Sequence, residues 1–134
     1  MTQPLYWLTL TAVATALMWM PYILNTIAVR GLMTAMRNPL PDAKPIAAWA
    51  SRTKQAHNNA VENLGVFATL VIVAHLSDTT AGVVGTAAIV YFFARLAHYT
   101  VYTLGIPMVR TVSFFVCFVA QMVIAVQILQ NMAA

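Results

Sequence analysis

The sequence predicts an all-α fold, an integral membrane four-helix bundle running alternately up and down. Three observations predict it. Charged residues make up 7% of the chain and hydrophobic ones 61%, whereas soluble domains carry roughly 25% charged residues. So little polar surface cannot cover a soluble globule. The apolar residues gather into four segments, about 5–29, 53–76, 81–104 and 108–132, each long enough for the roughly 20 residues of helix that cross a hydrocarbon core. The segments are continuous rather than short and alternating, so helices, not barrel strands, satisfy the backbone hydrogen bonds. Together they leave no room for a separate soluble domain, and residues 1–134 read as one unit.

Helix one spans about 5–29. "MTQPLYWLTL" carries no basic n-region and no small-residue cleavage site, so the segment reads as a retained helix and not a removed signal peptide. Pro21 removes a backbone donor and predicts a kink. Asn25 and Arg30 mark the far end of this helix. The loop at about 30–52 contains "RNPLPDAKP", whose three prolines predict an extended path, and Trp49 reads as an interfacial anchor before helix two. "SDTTAG" predicts a tight turn between helices two and three, and "TLGIP" joins three to four. Connections this short make sequential helices antiparallel neighbours. Cys117 is the only cysteine and falls inside helix four, which predicts a buried core thiol.

Charge gives the orientation. The net charge is +4, and Arg30, Arg37, Lys44, Arg52 and Lys54, five of the seven basic residues, lie in or beside the long loop. That distribution argues against nucleic acid. It is the positive-inside pattern, which predicts a cytoplasmic loop and both termini on the opposite side.

The polar residues inside the spans are concentrated toward that same side. Arg52, Gln55, Asn59 and Glu62 step by three, four and three, so they share one face of helix two. Arg95, His98 and Tyr102 share a face of helix three. Glu62 lies roughly 13 Å from the loop-side end of its helix and Arg95 roughly 12 Å from its own, which predicts that the two pair. A charge at the centre of a membrane helix costs about 2.5–3.5 kcal/mol, so both should face the interior. Arg110 opens helix four on the same side, while the outer half offers only His75 and Asp78. The expectation is a cationic cavity under one leaflet, suited to an anionic water-soluble ligand beside an apolar one. Arginines clamp carboxylates, and one placed beside a thiol favours its nucleophilic thiolate. No short-spaced cluster indicates a metal site.

These residues resemble the MAPEG family, small four-helix membrane proteins of eicosanoid and glutathione metabolism. "AHNNAVEN" is similar to the family's helix-two motif, which places an asparagine and a glutamate of the cofactor site on Asn59 and Glu62. "FARLAHYTVYTLG" is similar to the helix-three motif and places its residues on Arg95, His98 and Tyr102. The arginine opening helix four, the family's candidate thiolate stabiliser, falls on Arg110, and Thr111 follows where prostaglandin E synthase-like members have serine. Arg30, eight residues before Asn38-Pro39, matches a further glutathione-contacting arginine. Gln55 stands where family enzymes usually have arginine, and Arg52 lies one turn earlier.

The resemblance implies a homotrimer binding glutathione between subunits near the cytoplasmic side. It implies transfer of glutathione to lipophilic electrophiles, reduction of lipid hydroperoxides or isomerisation of endoperoxides. The site would comprise Arg110 and Thr111 as catalytic residues, and Arg30, Arg52, Gln55, Asn59, Glu62, Arg95, His98 and Tyr102 around the tripeptide. Another class stays open: a non-catalytic lipid-binding or scaffold protein using the same cavity, favoured by Gln55. A channel has less support, because the polar residues stop halfway across. Structural readings also remain for single residues: an interhelical ion pair for Glu62 and Arg95, an orientation anchor for Arg110, packing for His98, Tyr99 and Tyr102, interfacial polarity for His57 and His75.

Overall fold

The computed structural model describes residues 1–79 and 82–133. Six helices occupy them: α1 (Gln3–Leu17), α2 (Met20–Arg30), α3 (Leu32–Ala35), α4 (Ala48–Leu76), α5 (Gly82–Leu104) and α6 (Pro107–Ala133). Four helical segments are long and apolar enough to cross a membrane: Gln3–Arg30, Ala48–Leu76, Gly82–Leu104 and Pro107–Ala133. The expected four-helix membrane fold is therefore present, with its first span in two pieces.

Proline causes that break. Pro21 has no N–H to give the Leu17 carbonyl, and the helix is interrupted at Met18 and Trp19. The Tyr99 hydroxyl of α5 donates to the Met18 carbonyl at 2.9 Å, replacing a helical donor. Tyr99, read from sequence as a packing ring, thus holds the kink. Just beyond it, the Tyr22 hydroxyl meets Nδ1 of His57 on α4 at 3.0 Å, so His57 is a packing partner of the first span.

The helices pack around α4 and α5. The α1 helix contacts both on one side, and α6 contacts both on the other. The core runs along matching stripes: Phe67, Val71 and Ala74 of α4; Val84, Ala88 and Tyr91 of α5; Cys117, Ala120, Ile124 and Ile128 of α6. Spacings of three and four residues put each set on one helix face. The Phe67 and Tyr91 rings stack at 3.8 Å in its centre. Cys117 is buried there, as expected of a core thiol.

The connections differ from expectation in detail. A short helix, α3, follows Gly31, and α4 starts at Ala48, five residues before the expected 53. The extended part of the loop is correspondingly shorter. Its proline-rich portion is not helical, and Trp49 lies in the first turn of α4. Gly105 has φ +79° and lies against Arg52, whose Nε would be 3.1 Å from a Cβ there. A left-handed backbone and a close neighbour both require glycine in this two-residue link. Part of "SDTTAG", Thr80 and Ala81, lies outside the described residues.

Candidate functional site

The stripe of α5 that builds the core does not end at the core. Spaced by the same four and three residues, Tyr91 is followed by Arg95 and His98, both buried. Where α4 and α6 present Phe67 and Ile124 to the outer half, the loop-side half receives a guanidinium and an imidazole. Arg95 is 1% exposed. It donates from Nη1 to Oδ1 of Asn59 at 2.8 Å and from Nη2 to the Tyr91 hydroxyl at 3.5 Å.

Sequence reasoning expected Glu62 as its partner, and the structure corrects that. The depth is right: Thr53 on α4 bonds Thr103 on α5 at 3.1 Å, and Glu62 and Arg95 stand nine and eight residues from that level. The azimuth is wrong. At about 100° per residue, Glu62 lies about 200° round α4 from buried Ala60, and it is exposed. Asn59, one turn closer to the loop, reaches α5 instead.

Above Arg95 lies a cavity of about 200 Å³, lined by Asn59, His98, Tyr102, Arg110, Thr111 and Phe114. Three helices contribute to it. The Arg110 guanidinium sits 4.7 Å from the centre of the Tyr102 ring, a cation–π contact worth about 0.5–2 kcal/mol. His98 meets the Tyr102 ring edge-on at 5.6 Å and Phe114 at 6.0 Å. Among the described residues, the buried Nδ1 of His98 and Nε of Arg95 find no hydrogen-bond partner. A cavity lined by Arg110, with the Arg95 guanidinium held behind Asn59, suits an anion that brings its own donors and acceptors.

Of the remaining expected residues, Thr111 lines the cavity and four lie elsewhere. Gln55 accepts from the Tyr102 hydroxyl at 2.9 Å, so it orients a lining ring without lining the cavity. Arg52 donates from Nε to the Thr103 carbonyl at 3.0 Å, tying the start of α4 to the end of α5. Glu62 faces out of the chain. Arg30 is not at this cavity at all: its Nε donates to the Lys44 carbonyl at 2.6 Å. Thr111 lines the cavity and its hydroxyl donates to the Pro107 carbonyl at 3.1 Å.

Three contributors escaped sequence reasoning. Phe114 follows Arg110 by four residues, so extending the helical spacing along α6 finds it. Tyr91 precedes Arg95 by four for the same reason. Gln121, 3% exposed, donates to the Asn63 carbonyl at 3.2 Å; an amide inside the apolar run of α6 was the available signal.

A four-span membrane protein with a cationic cavity in one half of its bundle is the class that fold and site define. More narrowly, the chain belongs to the MAPEG family, whose model matches residues 5–130. Membership supports, broadly, a membrane function of glutathione-related transferase or isomerase type. A search of curated proteins found no match.

Proposed function

We propose that this protein is a glutathione-dependent membrane transferase or peroxidase acting on lipophilic electrophiles or lipid hydroperoxides. The observation that carries this reading is the convergence of Asn59, His98, Tyr102, Arg110 and Thr111 on one cavity, with Arg95 beneath it. Glutathione supplies the sulfur nucleophile, whose reactive form is the thiolate. Arg110, braced against Tyr102, is the cation that stabilises it, and Thr111 offers a hydroxyl beside it. Arg95 with Asn59, His98 and Tyr102 would receive the polar parts of the tripeptide. Gln55 orients Tyr102, and Arg52 ties α4 to α5 beside it. The lipophilic acceptor reaches the cavity from the bilayer.

The working unit in this proposal is a homotrimer, with the basic loop cytoplasmic and both termini on the other side. Arg52, Gln55, Asn59 and Glu62 share one flank of α4, and Glu62 is exposed there inside a membrane span. A carboxylate so placed is costly in lipid, and a second copy over this flank removes the cost. Arg30, which faces the loop within its own chain, would reach the tripeptide only across such a boundary.

Conjugation of a generic electrophile by the purified protein tests the reading. Arg110→Ala should lower kcat by about 100-fold, the scale seen when a donor to developing negative charge is removed. Full activity in that variant would remove the catalytic role.

One observation favours a second reading, a non-catalytic lipid-binding or scaffold protein. Gln55 replaces a cation in the resemblance, and its amide oxygen is occupied by Tyr102. A glutathione titration separates the two, because a ligand of the native state raises Tm. No shift at millimolar glutathione would favour the second reading.

A further inference from the structure

On the other flank of α4 the loop folds over a second cavity, of about 230 Å³. It is lined by Arg30, Arg37, Lys54 and Asn38 on its polar side, and by Ile23 and Ile46 on its apolar side. Among the described residues no carboxylate lines it. Asp42, the one acid of the loop, is exposed and absent from the lining. The cations are largely unspent: among the described residues Arg30 gives the protein only its Nε, and no side-chain hydrogen bond holds Arg37 or Lys54. The enclosure is built rather than incidental. Arg30 bonds the Lys44 carbonyl at 2.6 Å, and Asn25 accepts from the Ala47 N–H at 3.0 Å, so two separate bonds pin the far end of the prolyl segment back onto α2.

Position identifies the occupant. Arg30 is the last residue of α2 and Lys54 lies in the second turn of α4, so the cations stand where two spans leave the bilayer. Ile23 belongs to the membrane-spanning part of α2, which continues the apolar wall toward lipid. We propose that this cavity binds the headgroup of an anionic phospholipid of the loop-side leaflet, with Arg37 and Lys54 on the phosphate and the acyl chains lying along α2. A basic residue near an anionic surface contributes about fivefold in association, and here Arg37 and Lys54 act on one enclosed group. Within one chain the site is separate from the α4–α5–α6 cavity; Arg30, which the proposed function gives to the tripeptide of a neighbouring copy, only borders it, and the lipid is held by Arg37 and Lys54.

The test is the association of spin-labelled phosphatidylglycerol and phosphatidylcholine with the full chain in phosphatidylcholine vesicles. The wild type should prefer phosphatidylglycerol by about tenfold or more. Arg37→Gln and Lys54→Gln should each cut that preference by about fivefold, while the charge-retaining Arg37→Lys and Lys54→Arg keep it. Lys44→Gln is the control, since Lys44 is exposed and outside the lining. General attraction of a basic loop to the surface predicts that it loses as much as Arg37→Gln; the built site predicts a change within twofold. Equal association of both lipids, or equal losses in Lys44→Gln and Arg37→Gln, overturns the proposal. So does loss of the preference on adding millimolar inorganic phosphate or glutathione, which would assign the cavity to a soluble anion.

Discussion

The two halves of the α4–α5–α6 bundle share one helical stripe and use it for different purposes. In the outer half, Val84, Ala88 and Tyr91 of α5 pack on Phe67, Val71 and Ile124. In the loop-side half the same face carries Arg95 and His98, and a cavity opens over them. Burial is similar, yet one half is filled by aliphatic and aromatic contact while the other leaves polar atoms without partners. Helical periodicity places residues at the helix interface; residue type decides whether they hold the bundle together or create a site in it.

Substitutions in each half should therefore separate stability from activity. The largest effect is expected in the outer half: Phe67→Ala removes a fully buried ring, and such truncations cost about 3–5 kcal/mol. Unfolding in detergent should show that loss, with glutathione affinity preserved in the fraction that stays folded. Arg110→Ala should do the reverse, losing about 100-fold in kcat with little change in stability, because Arg110 is only half-buried. If Arg110→Ala instead unfolds the protein with no specific loss of turnover, the division between halves fails.

Asn59→Ala lies between these extremes. It strips the buried Arg95 of its 2.8 Å acceptor, and a hydrogen bond to a charged group is worth about 1.5–3 kcal/mol. Both stability and glutathione affinity should fall, measured by thermal unfolding and by titration. Gln55→Arg should strengthen glutathione binding by restoring a cation at the rim, although it gives up the contact with the Tyr102 hydroxyl. Weaker binding in that variant would mean the ring's orientation matters more than the added charge. Tyr99→Phe is the smallest change. It releases the Met18 carbonyl at the proline break, with an expected cost of about 1 kcal/mol and no effect on the kinetics.

Most of the fold could be read from the chain, because membrane helices declare themselves by length and continuous apolarity. The kink at Pro21, the short link at Gly105 and the position of Cys117 followed from single-residue chemistry. The site was readable in part. Spacing put Asn59 on one face of helix two and His98 and Tyr102 on one face of helix three. The start of helix four put Arg110 on the same side, and all four line one cavity. Helical rise placed Glu62 and Arg95 at matching depths. The azimuth of α4 was not accessible from spacing alone: four residues sharing a face do not say whether that face meets α5, a second copy or lipid. That is why Asn59, and not Glu62, is the partner of Arg95. The role of Tyr99 was hidden for a related reason, since its acceptor exists only because a proline 78 residues earlier in the chain disrupts another helix.

The central claim is that the loop-side half of the bundle receives glutathione, and thermal unfolding of the purified protein across a glutathione titration tests it most directly. The account predicts a Tm that climbs with concentration into the millimolar range, and a climb that survives Ile124→Val in the outer half but is weakened by Asn59→Ala. A Tm that stays level in the wild-type protein throughout the titration would contradict it.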